Sequence, residues 1–328
     1  MAREDALRDS FGRRIGYVRL SVTDRCDLRC AYCMPKGYKD FEEPAHWLSF
    51  HEIERLIGAC VRLGMRRVRL TGGEPLLRRN LPDLVARLRE LPTIEDISLS
   101  TNATQLTRQA RALRAAGVSR INVSLDSLRR DRIATITGRD CLGRILEGLM
   151  AARTAGFAPI KINMVAQKGV NDDEIDDMVE FCRLHGFVLR LIETMPMAET
   201  GRSASYLDLQ PVKRRLQEKF GLIDGAVPGA GAARYLQTPD QRLSIGFITP
   251  ISQHFCASCN RVRLAVDGTM YMCLGQEAKF EFRPLLRTNS SDSEIERAVR
   301  AAIALKPARH EFSEWPVKIA RYMSATGG

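Results

Sequence analysis

The chain has 328 residues, 45% of them hydrophobic, which is ample for a core and fits one α/β barrel with additions. Fifty basic against 39 acidic residues leave a net charge of +11, a balance that suits an anionic ligand, nucleic acid or polyphosphate, although helix-face arginines such as Arg108, Arg111 and Arg114 supply part of the excess. The start Met1-Ala2-Arg3-Glu4-Asp5 is charged and no run is long enough to cross a bilayer, so no membrane partner and a reducing, cytoplasmic location are expected.

An N-terminal extension over 1–16 leads into the first predicted strand, Tyr17–Val22, and just past it stand three cysteines, Cys26-x3-Cys30-x2-Cys33. A structural zinc site wants four N or S ligands, and this loop offers no fourth. An iron–sulfur cube has four metal corners; three thiolates leave one iron open to a small molecule. Further strands are predicted at Arg67–Thr71, Asp96–Ser100, Arg120–Leu125, Ile160–Val165 and Val188–Glu193. Amphipathic stretches between them close at Gly64, Gly117, Gly156 and Gly186, and Ser49-x-x-Glu52 and Asn171-x-x-Glu174 read as capping-box helix starts. Six βα units predict a parallel sheet, two units short of a closed eight-fold barrel. After Pro196 the pattern changes to hairpins, which divides the chain into 17–195 and 196–328, and Gly225–Gly231 is the candidate mobile loop.

One parity of the strands is polar where a sheet covered on both faces would be apolar. Arg19 and Ser21, Arg69 and Thr71, Ser98 and Ser100, Asn122 and Ser124, and Lys161 and Asn163 alternate with apolar neighbours. Five strands repeating this pattern describe an open barrel with an apolar outer face under helices and a polar, ligand-holding interior. Active-site loops follow barrel strands at their C-terminal ends. There, strand two leads into Thr71-Gly72-Gly73-Glu74-Pro75, whose glycines allow close backbone approach to a ligand.

A second group, Cys256-x2-Cys259-x13-Cys273, spans a hairpin signalled by Asp267-Gly268. Two registers are open. A two-residue loop pairs Arg263 with Met272 and turns Cys273 away from Arg261 and Arg263. A type I turn at Val266-Asp267 with Gly268 as a bulge pairs Arg261 with Cys273 and puts all three side chains on one face. Either a second cube or a zinc completed by His254 suits these thiols. Cys60, Cys141 and Cys182, on helical stretches, read as small buried residues.

The first cysteine spacing, with Tyr32 before the third cysteine and the Gly-Gly-Glu-Pro segment after strand two, resembles the radical S-adenosylmethionine (SAM) superfamily. Both cysteine groups together, with Asn260-Arg261-Val262-Arg263, the 167–172 run Gln-Lys-Gly-Val-Asn-Asp, the segment from Arg190 to Pro196 and a closing Gly327-Gly328, resemble its GTP 3′,8-cyclase family of molybdenum cofactor biosynthesis over nearly the whole chain. The resemblance implies a partial (β/α)6 TIM-like barrel of α/β class with a C-terminal region that carries a second cluster. It implies two [4Fe-4S] clusters, one on Cys26, Cys30 and Cys33 and one on Cys256, Cys259 and Cys273, with SAM at the first and GTP at the second. SAM contacts fall on Tyr32, Gly73, Ser124 and Met195. GTP contacts fall on Arg19, Arg69, Ser100, Lys161, Arg261, Val262 and Arg263; Ser100 stands where the family usually has Thr. Arg19, Gly327 and Gly328 are the implied catalytic positions, the two glycines as a tail entering the site. The implied reaction removes hydrogen from ribose C3′ of GTP and joins C3′ to guanine C8, giving 3′,8-cyclo-7,8-dihydroguanosine 5′-triphosphate. Implied partners are a reductant protein and a downstream cyclic pyranopterin monophosphate synthase, with a homodimer left open. Trp47 and Trp315 lack neighbours for base stacking, so nucleic acid is not an expected partner. Two rivals remain: a radical SAM peptide modifier, which would need a peptide-docking domain before the barrel, and a zinc-stabilised RNA-binding protein, which would need fourth ligands.

Overall fold

The computed structural model describes residues 7–34, 43–229, 231–312, 314 and 319–327; Trp315 and Gly328 lie outside these. Six strands, β1 (Tyr17–Ser21), β2 (Arg67–Thr71), β3 (Asp96–Thr101), β4 (Arg120–Ser124), β5 (Ile160–Ala166) and β6 (Val188–Glu193), lie side by side and parallel. Between them run α1 (Phe50–Arg62), α2 (Leu81–Glu90), α3 (Leu106–Ala116), α4 (Arg130–Thr137), α5 (Leu142–Thr154) and α6 (Ile175–His185). The apolar strand parity, including Leu20, Leu70, Leu99, Val123 and Ile162, is fully buried in one core with the inner faces of the helices. Each such side chain contributes about 1.5–3 kcal/mol by leaving water, and that burial fixes which parity faces inward.

Ser49 and Glu52 form the expected reciprocal cap on α1. The second expected box does not form. Asn171 instead accepts from the Gln167 amide and donates to the Asp126 and Val165 carbonyls, while Glu174 accepts from Ser127 and Leu128. Those tertiary bonds outcompete a local cap, and Asp172–Glu174 forms only a 3-10 turn.

The C-terminal region holds α7 (Ala198–Ser203), α8 (Leu209–Phe220), β7 (Ile223–Gly225), β8 (Arg234–Gln237), β9 (Ser244–Ile248), β10 (Arg261–Leu264), β11 (Thr269–Tyr271), β12 (Lys279–Glu281), α9 (Arg283–Arg287), α10 (Asp292–Ala304) and α11 (Met323–Thr326). It does more than append hairpins. β9 pairs parallel with β6, and β10 pairs parallel with β1, so the parallel run extends at both ends to β10-β1-β2-β3-β4-β5-β6-β9. Antiparallel β7-β8 and β11-β12 form the outer edges of this open sheet. The two strands that the count of βα units lacks thus come from the C-terminal region, and residues 249–260 cross between them carrying Cys256 and Cys259. The glycine-rich loop after β7 is pinned, because Arg120 and Lys161 both donate to the Pro228 carbonyl.

Candidate active site

β1 hands the chain to the loop of Cys26, Cys30 and Cys33. The loop after β2 lies against it: the Gly73 amide donates to Thr23 O (2.9 Å) and the Glu74 amide to Arg25 O (2.7 Å). A Cβ on Gly72 or Gly73 would overlap the Thr23 or Arg25 carbonyl. The close approach read from these glycines is therefore first an approach to the cysteine loop's own backbone, although both also line the cavity. Glu74 braces the arrangement by accepting from Thr101 Oγ1 (2.7 Å), Leu76 N (3.0 Å) and Asn102 N (2.6 Å), and burial pushes its carboxyl up to about 8. Tyr32 donates its hydroxyl to Asp126 (2.6 Å), whose carboxyl burial raises to about 6.

Burial raises all three thiols. Glu74 and Asp27 add to this at Cys26, Cys33 and Asp126 add to it at Cys30, and Cys33, with Asp126 beside it, is pushed up to about 12. Such thiols stay protonated at neutral pH unless a metal displaces the proton. Among the described residues no three His, Cys, Asp or Glu side chains close around a single ion. A zinc needs four ligands on one ion, whereas a cube takes each thiolate on a separate iron, so three thiols on one loop with no fourth ligand in that loop suit a cube with one open iron.

The second group hangs on β9 and the β10–β11 hairpin. Arg263 pairs with Tyr271 and Leu264 with Met270. Gly268 has φ +89°, and its amide donates to Ala265 O (3.1 Å) while Ala265 N donates to Thr269 O (2.8 Å). This is the bulged register; extended two residues beyond the last observed pair, Arg263 with Tyr271, it would set Cys273 opposite Arg261. Arg261, Arg263 and Cys273 all line the same cavity, as do Cys256 and Cys259. At Cys259 burial works against ionisation, but Arg261 and then Lys306 pull the thiol down to about 7. His254 stacks edge-on at 6.0 Å from His310 and does not line the cavity.

Across β10, β1 and β2 the register sets Arg263, Arg19 and Arg69 in one row. Burial, then Arg263 and Arg69, hold Arg19 well below its ordinary value, and burial with Arg261 and Arg321 brings Arg263 to about 10. Arg261 Nε is buried without an acceptor. A cavity this rich in mutually repelling guanidiniums is built for an anion with several charges.

Cys26, Cys30, Cys33, Tyr32, Gly73, Ser124 and Met195 line the cavity, as do Arg19, Arg69, Ser100, Arg261, Val262, Arg263, Cys256, Cys259 and Cys273. Val262 buries its side chain in the apolar core, which leaves only its backbone for a ligand. Lys161 is not part of the lining: it donates to Pro228 O (2.7 Å) and Tyr235 Oη (3.1 Å), and burial with Arg190 and Arg120 lowers it to about 7. Gly327 is buried, with its carbonyl accepting from Arg263. Sequence reasoning missed Arg190, which lines the cavity and donates to Asn163 (2.8 Å) and Asn122 (2.6 Å). Its place beside Asn163 follows from the β5–β6 register, which the sequence does not display. Lys306, also on the lining, carried no signal in the sequence.

Residues 20–182 match the Radical SAM superfamily, and residues 187–312 match Molybdenum Cofactor Synthesis C. The chain is 44% identical to the GTP 3′,8-cyclase of Ectopseudomonas mendocina, with 98% of each chain covered. It is 44% identical to the GTP 3′,8-cyclase 2 of Pseudomonas aeruginosa, with 99% of each covered. The SAM-bound structure of Streptococcus suis SuiB shares the fold, with a TM-score of 0.64 at 18% identity over 88% of this chain and 68% of that one. The chain belongs to the GTP 3′,8-cyclase family of the radical SAM superfamily.

Proposed function

We propose that this chain is a radical SAM GTP 3′,8-cyclase of molybdenum cofactor biosynthesis, with Cys26, Cys30 and Cys33 holding a [4Fe-4S] cluster and SAM. The observation that carries the reading is a single cavity onto which both cysteine groups and the row Arg263-Arg19-Arg69 open. That cluster supplies the electron that splits SAM. Tyr32, Gly73, Ser124 and Met195 hold SAM against it. Cys256, Cys259 and Cys273 hold a second [4Fe-4S] cluster at the other side of the cavity. Arg19, Arg69, Arg190, Arg261 and Arg263 offset the triphosphate charge, Ser100 offers a hydroxyl, and Lys161 joins them by giving up Pro228 and Tyr235. SAM bound at the first cluster would supply the radical that removes hydrogen from C3′ of GTP so that C3′ bonds to C8, and the reductant would supply the further electron, with a proton from water, that brings the product to the dihydroguanosine level.

The extension 1–16, the barrel 17–195 and the region 196–328 are read as three parts of one catalytic unit. A cytoplasmic reductant protein and a synthase that consumes the product complete the reading, with dimerisation untested. Anaerobic incubation of reconstituted protein with SAM, GTP and dithionite tests it. 5′-Deoxyadenosine is expected to form in a GTP-dependent way, with cyclised nucleotide beside it; cleavage indifferent to GTP but stimulated by a peptide would sink it.

A further inference from the structure

The backbone of the second cysteine group is gripped by three cations from three separate segments. Lys306, just past α10 and 2% exposed, donates its ammonium to Arg261 O (2.9 Å) and Met272 O (2.6 Å), the carbonyls two residues after Cys259 and one before Cys273. Arg13, held on buried Asp9 (2.5 Å), donates to Cys256 O (2.9 Å), Ala308 O (2.7 Å) and Pro307 O. Arg321 donates to Cys273 O (3.1 Å), Leu274 O (2.6 Å) and Gln276 O (2.8 Å). Arg13 thus secures the segment beside Lys306 as well as Cys256. α10 itself is moored to α1 by Arg55 and Arg62, which pair with Asp292 and Glu296.

A lysine buried this deeply costs several kcal/mol unless its charge is compensated. Two carbonyls take two of its protons, yet among the described residues no carboxylate pairs with it. Lys306 lines the same cavity as Cys256, Cys259 and Cys273, so the sulfurs gathered there can supply the remaining countercharge. The first cysteine group differs in having the carboxyl groups of Asp27, Asp126 and the more weakly acidic Glu74 around it, although Arg29 donates to its Cys26 and Leu28 carbonyls. Net charge and hydrogen bonding around a cluster are the levers that set its reduction potential.

We propose that Lys306 is a positioning residue of the second iron–sulfur centre, locking the hairpin at Cys273 beside Arg13 and Arg321, whose charges Asp9 and Glu277 offset, and through its own charge holding that centre at a higher reduction potential than the first. Two similar three-cysteine centres in one cavity are thereby made unequal, and the lower-potential one is reserved for SAM. This rests on the reading that Cys256, Cys259 and Cys273 hold a cluster.

The test compares wild-type, Lys306→Met and Lys306→Arg holoenzymes by iron count and by redox titration followed by electron paramagnetic resonance, with the first centre identified by its response to SAM and the second by its response to GTP. In Lys306→Met the GTP-responsive signal is expected to become at least tenfold harder to reduce, about 59 mV for a one-electron couple. The SAM-responsive signal stays in place, and Lys306→Arg restores most of the shift. Selective loss of the second centre's irons in Met, reversed in Arg, supports the same role. An unmoved potential with all irons retained, or loss of iron from both centres in both variants, overturns it. Wild-type protein holding only four irons would instead sink the second-cluster reading itself.

Discussion

Arg19 stands in register between Arg263 and Arg69, with no carboxylate in that row. Burial and then those two neighbours depress its pKa. A base whose folded pKa lies below its unfolded one destabilises the fold at every pH where it stays charged, so the cost is present at pH 7, and an anion bound in the row reduces it. Arg19→Met is expected to stabilise the ligand-free protein by about 0.5–2 kcal/mol in urea denaturation while weakening GTP by about 1.5–3 kcal/mol in calorimetry. A ligand-free variant less stable than wild type would show the row to be neutralised from within. The thiols offer a second residue-scale test. In metal-free protein at pH 8, Cys259, at about 7, is mostly thiolate while Cys33, at about 12, is thiol. Because the thiolate is the nucleophile, iodoacetamide should label Cys259 at least about tenfold faster than Cys33 by mass spectrometry. Lowering the pH to 6 crosses the Cys259 value and should slow that residue by about tenfold, whereas Cys33, whose thiolate fraction falls with every pH unit in this range, should slow by about a hundredfold from its already lower rate. Equal rates at pH 8 would refute the charge contrast.

The β10–β11 hairpin is the element on which the second centre depends. Its bulge requires Gly268 at φ +89°, and a Cβ there would meet Arg283 at 3.1 Å and Leu48 at 3.2 Å. Gly268→Val should cost about 1–3 kcal/mol in urea denaturation and release the irons of the second centre while sparing the first. Full iron retention despite lost stability would mean that the register is not what places Cys273. The bulged alternative could be stated from Asp267-Gly268 alone because side-chain faces alternate with a period of two, but choosing it took the structure. The six βα strands were legible for the same reason. β9 and β10 as parallel partners of β6 and β1 were not, since parallel pairing is made at long range and leaves no local turn signature. Arg190 was hidden because Val188 and Ile192, its neighbours on the inner face of β6, are apolar and break the polar parity seen on the other strands. Asn171 and Glu174 misled in the opposite sense: residues that spell a cap were committed to tertiary bonds.

At the scale of the whole molecule, opposite ends of the chain meet in one cavity, which Met323 of α11 lines, and α11 sets Gly327 against Arg263 and Thr71, two residues of the same lining. Its carbonyl accepts from Arg263 on β10, and its Cα packs against Thr71, the last residue of β2, so closely that a Cβ would overlap the threonine side chain. With φ +76° it also takes a backbone conformation that favours glycine. Gly327 therefore bridges the arginine row and the loop that braces the first cysteine group, where the proposed function would bring nucleotide and SAM together. Gly327→Val cannot occupy that space without withdrawing from Thr71, and withdrawal frees Arg263 to rotate. The Thr71 and Arg263 contacts of Gly327 touch neither cysteine group, while Ser324, earlier on α11, donates its amide to the Cys33 sulfur. The variant is thus expected to keep the wild-type iron content, an unfolding midpoint in urea close to wild type and SAM cleavage, but to form cyclised product at one tenth of the wild-type rate or less. Uncoupled 5′-deoxyadenosine should accumulate in chromatographic assays of both products. Wild-type product yield from Gly327→Val would place this segment outside the catalytic machinery, and a matching loss of SAM cleavage would make it a support of the first centre instead.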